Sequence, residues 1–231
     1  MLTFTALKEK ERRMRADFPE TMGLRVHRAI SWIGRAQKEP GDPDAAFLFH
    51  WIAFNAAYAD ETEFQSIPLG ERAAFTEFFS RVVRLDTSRQ IYRAIWNTYT
   101  GPVRLLLENR FVFLPFWQHT NGIPGHENWQ DRFEASRKVF YKATQDGDTA
   151  KMLSLVFDRL YVLRCQLVHG GTTWGSYVNR AQVKDSAAIL GTLMPLIADI
   201  MLDNPAEPWG RPFYPVIDPP DAGVSGSAKL G

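Results

Sequence analysis

The sequence predicts an all-α protein. Apolar residues recur at helical spacing along most of the chain, and no convincing run of alternating strand-like residues interrupts them. The helical stretches are also bounded by capping and breaking residues, such as Asp42 after Glu39-Pro40-Gly41. Hydrophobic residues make up 45% of the 231, which is ample for a core. A mass of 26.4 kDa fits one large helical domain or one domain with appendages.

Taken in order, a charged first helix is expected from Thr5 to about Asp17, and a second from Gly23 to about Lys38. Leu24, Ala29, Ile30 and Ile33 are available for the inner face of the second. Asp42 is placed to cap a third helix, about Asp44 to Glu61, which is apolar nearly all round and should run through the core. Pro68 and Gly70 precede a helix from about Glu71 to Leu85. Asp86, Thr87 or Ser88 can cap another that continues to about Leu107.

The stretch from Phe111 to Asn128 mixes aromatics with Pro115, Gly122, Pro124 and Gly125. It reads as a short helix or turn followed by a loop packed by its own aromatics. Helices resume from about Trp129 to Thr144 and from about Asp148 to His169, where Gly170-Gly171 ends the second. A loop from Thr172 to Asn179 leads into a last long helix, about Arg180 to Asp203. Residues 1–204 are thus expected to form one helical domain. Residues 205–231 form a Pro/Gly-rich tail whose aromatic part can dock and whose last residues should be disordered.

Composition narrows the function classes. The formal net charge is +1, so the chain is not a globally basic nucleic-acid binder, and any RNA contact must use a local patch. A lone cysteine, Cys165, excludes an intramolecular disulfide and a cysteine-based zinc site. The N-terminal segment carries charge with no long apolar run after it, unlike a signal peptide. The apolar stretch Ala45–Ala59 is too short to span a bilayer and contains His50 and Asn55. A cytoplasmic protein without a membrane partner is expected.

The segment that carries chemistry runs from Phe157 to Val183. Arg164 and His169 stand there with four residues between them, at the end of an amphipathic helix. Cutting RNA without a metal needs a base for the 2′-hydroxyl proton, an acid for the leaving oxygen, and positive charge on the developing phosphorane. His169 exchanges protons near neutral pH. Arg164 stays charged and can fork two donors onto phosphate oxygens. Five positions turn a helix by about 140° and rise roughly 7.5 Å, so the two side chains do not share a face. The same residues also have structural roles available. An imidazolium at a helix end interacts well with the C-terminal dipole, and Arg164 can be an ordinary exposed or ion-paired arginine.

This segment resembles the HEPN superfamily, whose ribonuclease members carry an Arg, four to six residues, then a His. LRCQLVHGG followed by TWGSYVNRAQV is similar to the motif helix, loop and following helix of the bacterial Apea-like group. FLFHWIAFNAAYA, Phe47 to Ala59, looks like that group's central core helix. The resemblance covers roughly Leu24 to Leu202. It implies an all-α HEPN-like bundle with extra helices, acting as a homodimer in which both Arg164 and both His169 surround one phosphate. It implies endoribonuclease action without metal or other cofactor, in phage defence, toxin–antitoxin or stress response, with an antitoxin or regulatory protein as a further partner. Two positions depart from the family pattern: active relatives often carry Asn after the motif Arg, where this chain has Cys165, and some toxins carry a nucleotidylated Tyr where it has Gly171. A non-catalytic HEPN module that binds RNA, a nucleotide or a protein partner is the alternative, and a purely structural dimerisation domain a third.

Other candidates each have a structural counterpart. Asn55 can orient the site or be a satisfied core asparagine. Asn179 and Arg180 can touch RNA or support His169, or else cap the last helix. Arg25, Arg28 and Arg35 can track a phosphate backbone, or form a solvated face. His119 and His126 flank a Gly/Pro loop, with no carboxylate pair or thiol to complete a metal site. Trp117 and Trp129 can stack bases or plug their own loop.

Overall fold

The computed structural model describes residues 2–59, 71–177, 179–212 and 214–216. It is all-α: ten α-helices and no strand among the described residues. In chain order they are α1 (Phe4–Met14), α2 (Glu20–Ala36), α3 (Pro43–Tyr58), α4 (Glu71–Leu85), α5 (Gln90–Arg93), α6 (Thr100–Leu107), α7 (Leu114–Thr120), α8 (Trp129–Asp146), α9 (Thr149–Val168) and α10 (Arg180–Asp203).

Local chemistry sets most boundaries. Thr3 caps α1 by accepting from the Ala6 N–H at 3.3 Å, and the helix tightens into a 3₁₀ turn, Arg15–Asp17, that ends at Phe18. Helix α2 begins three residues earlier than its apolar face suggested, because Pro19 precedes its first turn, where no N–H partner is needed. Asp42 caps α3 through the Ala45 N–H at 3.0 Å, with Pro43 at the first helical position. Asp148 caps α9 through Lys151 N–H at 2.9 Å. Gly147, at φ 63°, closes α8 in the left-handed region that favours glycine.

One expected helix is broken. Asp86 does cap a helix, accepting from Gln90 and Ile91 N–H at 3.0 and 2.7 Å. The helix does not run unbroken to Leu107: a π-helical stretch, Ala94–Thr98, interrupts it, and α6 restarts at Thr100. The reason lies in Pro102, whose ring would clash with the Thr98 carbonyl in a continuous helix and which has no N–H to give. Restarting at Thr100 moves Pro102 into a first turn, where neither matters.

Helix α3 is the centre of the molecule. It packs along α2 and α10 and also meets α9, while α9 packs on α4. Phe54 is fully buried, with Phe157 of α9 at 4.4 Å and Phe79 of α4 at 6.0 Å between ring centroids. Truncating such a residue costs about 3–5 kcal/mol. The segment from Arg110 to Asn128 holds a 3₁₀ turn and α7, and it is plugged by its own aromatics. Phe116 sits 5.0 Å from Trp129, and the Trp117 indole donates to the Phe111 carbonyl at 2.7 Å. Helix α10 is long and apolar enough to cross a membrane by composition alone, and two-thirds of its most apolar window (67%) is packed inside the body.

The tail docks on the body as far as it is described. Trp209 is buried, edge-on to Phe78 at 6.2 Å. Arg25 is not on a solvated face: it is fully buried and donates to the carbonyls of Ala57, Gly210 and Arg211. Arg35 pairs with Glu39 and covers the Phe49 ring. A guanidinium offers more donors than a single carboxylate can satisfy, so chain-end carbonyls are good partners for a buried one. Helix α3 stops at Tyr58, short of the expected end near Glu61, with Ala59 already in an extended conformation at ψ 129°. The break at Pro68 and Gly70 and the disorder expected of the last residues fall outside the described residues.

Candidate functional site

Helix α9 ends on a hydrogen-bond pattern that its glycines make possible. The Gly171 N–H donates to the Gln166 carbonyl at 2.7 Å and the Gly170 N–H to the Leu167 carbonyl at 3.3 Å, a Schellman turn. Gly170 has φ 71°, which a side chain would strain, and a Cβ on Gly171 would come within 3.0 Å of the Gln166 carbonyl oxygen. His169, the C-cap residue, is held at this end with its side chain exposed.

Arg164 lies five positions back and faces elsewhere. It lines a cavity of about 660 Å³ between α2, α3, α9 and the chain end. No carboxylate among the described residues lines this cavity; Arg28 does, on the α2 side. The Arg164 guanidinium is half-buried, with the Cys165 sulfur 3.8 Å from Nη1 as its described hydrogen-bond partner. Trp32, Trp51 and Tyr161 make much of the wall, and Tyr214 from the tail adds a further ring.

Asn55 lines the same cavity. It is exposed on α3 beside Ile52, so it is not the satisfied core asparagine that a helix apolar all round suggests. Ile52, Asn55 and Ala56 form a stripe at helical spacing that α2 and α9 leave uncovered. Tyr161 and Arg164, one turn apart on α9, form a second stripe, and Arg28 and Trp32 on α2 a third. Those i, i+3 and i, i+4 pairs are visible in the sequence; that the three stripes converge is not.

The loop after His169 is tied to the start of α3. The Trp174 indole donates to Asp42 at 2.9 Å, although the residue is 79% exposed overall. The Ala45 N–H, first of all, and the Trp174 indole then hold the Asp42 carboxyl below the usual carboxylate range. Arg180 ion-pairs with Asp44, whose side chain is nearly buried. Asn179 stands at the N-cap position of α10 with φ 61° and makes no side-chain capping bond.

The candidate residues therefore separate into two groups. Arg164 and Asn55, with Cys165 next in the chain, lie at the cavity; His169 stands apart at the helix end, and Arg180 is engaged by Asp44. Arg28, one of the arginines that could track a phosphate backbone, also lines the cavity, and Trp32, Tyr161 and Tyr214 join it without having been candidates. Neither Arg164 nor His169 has an acidic side chain as a partner among the described residues, and no three His, Cys, Asp or Glu side chains converge there. No family model, curated protein or solved structure matches the chain.

Proposed function

We propose that the chain is a metal-independent endoribonuclease of the HEPN type, acting as a homodimer. The observation that supports this best is that Arg164 has no carboxylate partner among the described residues while His169 is exposed at a helix end closed by a Schellman turn. A private ion pair to either would remove it from chemistry. Because the two diverge around α9, a complete site takes both residues from each of two copies. Val168, next to His169 in the chain, and Trp174 and Tyr177 in the loop that follows are exposed and supply apolar surface for that association.

In the reaction, one imidazole accepts the proton of the RNA 2′-hydroxyl and the 2′-oxygen attacks the adjacent phosphorus. The bond from phosphorus to the 5′-oxygen breaks, and the imidazolium of the other copy protonates that leaving oxygen. The products are a 2′,3′-cyclic phosphate and a 5′-hydroxyl. The two guanidiniums neutralise charge on the non-bridging oxygens as the phosphorane forms. The nucleophile belongs to the RNA, so no metal-activated water is needed. Incubating the purified protein with total RNA in EDTA tests this. Cleavage should persist and leave cyclic ends, and DNA should not be cut. Activity lost in EDTA and restored by magnesium, or a strictly monomeric protein at micromolar concentration, overturns it.

One observation favours a second reading. The cavity takes Arg164, Asn55 and aromatic walls but not His169, which suits a non-catalytic module that binds RNA, a nucleotide or a protein partner. That module would bind unchanged and cut nothing with or without His169.

A further inference from the structure

Arginines fasten the end of the chain to the body, and the last of them belongs to the cavity. Arg25 grips Gly210 and Arg211 through their carbonyls at 3.1 and 2.7 Å. Arg81 of α4 donates to the Pro208 carbonyl at 2.6 Å and lies 5.8 Å from the Trp209 ring centroid. Arg84 pairs with Glu207 at 2.7 Å. Further along, Pro212 and Tyr214 line the cavity. The carbonyl of Tyr214 accepts from Arg28, which lines the cavity beside Arg164. The fastening is therefore graded. Up to Arg211 the strap is held by a buried guanidinium and a buried indole, whereas Tyr214 is 72% exposed and bonds to an arginine that an incoming anion could reach.

We propose that Arg28 is shared between the strap and the RNA: the Tyr214 carbonyl and an RNA phosphate compete for its guanidinium, so that the chain end restrains entry to the cavity beside Arg164. This rests on the RNA-directed reading above and adds its regulation. A phosphate carries full negative charge and can take two guanidinium donors at once, where a single neutral carbonyl oxygen offers neither, so it is the stronger partner for Arg28. A phosphate arriving beside Arg164 therefore displaces Tyr214, and the strap remains attached through Trp209 and Arg25. Until then Tyr214 lines the cavity and occupies Arg28, one of the two cations among its described lining residues. Anything that holds the chain end closed, or pulls it away, then sets the affinity of the site.

The test is a binding cycle with a short single-stranded deoxyribonucleotide, which lacks the 2′-hydroxyl and is not consumed. Anisotropy at fixed salt compares the full chain, Arg28→Gln, a chain ending at Pro212, and that shorter chain carrying Arg28→Gln. The shorter chain should bind about tenfold tighter than the full chain, as expected for a charge-assisted contact made available. Arg28→Gln should remove that gain in the shorter chain and change the full chain little. Equal affinity of the full and shortened chains, or the same Arg28→Gln effect in both, overturns the proposal while leaving RNA binding in place. Failure of all four chains to bind removes the RNA-directed reading, and the strap's role with it. Should the shorter chain melt early, three glycines inserted after Pro212 in the full chain move the Tyr214 carbonyl off Arg28 and carry the same expectation of tighter binding, with unchanged affinity as the refuting result.

Discussion

Arg180, the first residue of α10, is ion-paired to Asp44 in the first turn of α3, across 136 positions of sequence. The pair fastens the far end of the motif loop to the central helix, and the Asp44 side chain is only 10% exposed. Arg180→Ala leaves that carboxylate in a poorly hydrated place. It should cost about 2–3 kcal/mol, somewhat below a fully buried pair, and Asp44→Asn should recover part of the loss. Thermal melting of the two single variants and the double variant measures it. An unchanged melt with weakened RNA binding would instead make Arg180 an RNA contact.

His169→Ala should abolish RNA cleavage and leave helicity, dimerisation and RNA affinity close to wild type. Losing a charge–dipole interaction at a helix end costs only about 0.3–1 kcal/mol. Losing a proton-transfer group costs about 10²–10⁴-fold in rate. Arg164→Ala should slow cleavage and also weaken binding, since the guanidinium serves ground state and transition state alike. Arg164→Lys should rescue little, because an ammonium lacks the planar fork. A folded His169→Ala protein that cuts at the wild-type rate eliminates the site.

Cys165 places its sulfur against the Arg164 guanidinium, where an amide could hold the same group more firmly. Cys165→Asn should therefore keep or raise the cleavage rate, with the melting temperature close to wild type. A fall in rate without a fall in stability would show that the sulfur itself matters to Arg164.

Between pH 6.5 and 4, stability should fall because of His50. Burial against α10 pushes this imidazole down to about 4, and its Nδ1 has no hydrogen-bond partner among the described residues. The folded state holds it neutral while the unfolded chain protonates it below its ordinary value of 6.5. The unfolded state thus binds the extra proton between these values. Stability is full above pH 6.5 and declines as pH drops toward 4, by on the order of 3 kcal/mol. Denaturant melts across this range should show the slope, and His50→Leu should flatten it. An identical slope in His50→Leu would assign the acid limb to other groups.

Much of the architecture was legible because it is local. The caps at Asp42, Asp86 and Asp148 and the glycines after α9 act within a few residues, so side-chain type and spacing were enough to place them. The last helix, Arg180–Asp203, was readable for the same reason. Periodicity alone reads as a single long helix where Pro102 divides the chain into α5, a π turn and α6. Arg164 and His169 could also be picked out, since they lie on one helix end and their chemistry follows from residue type.

The chain's own order of residues thus determined that it is all-α and where the caps at Asp42, Asp86 and Asp148 and the stop after His169 fall, and it marked Arg164 and His169 as candidates by residue type alone. Only the tertiary structure decided what surrounds them. Asn55 lies exposed in a helix that looks apolar all round because α2 and α9 leave one stripe of α3 uncovered. Arg25 and Arg28 look like surface charges, yet they grip carbonyls 185 and 186 positions away. A carbonyl is present on every residue, so nothing in the amino-acid types marks which ones a buried guanidinium will find. That choice is made when the helices pack and bring the chain end across α2.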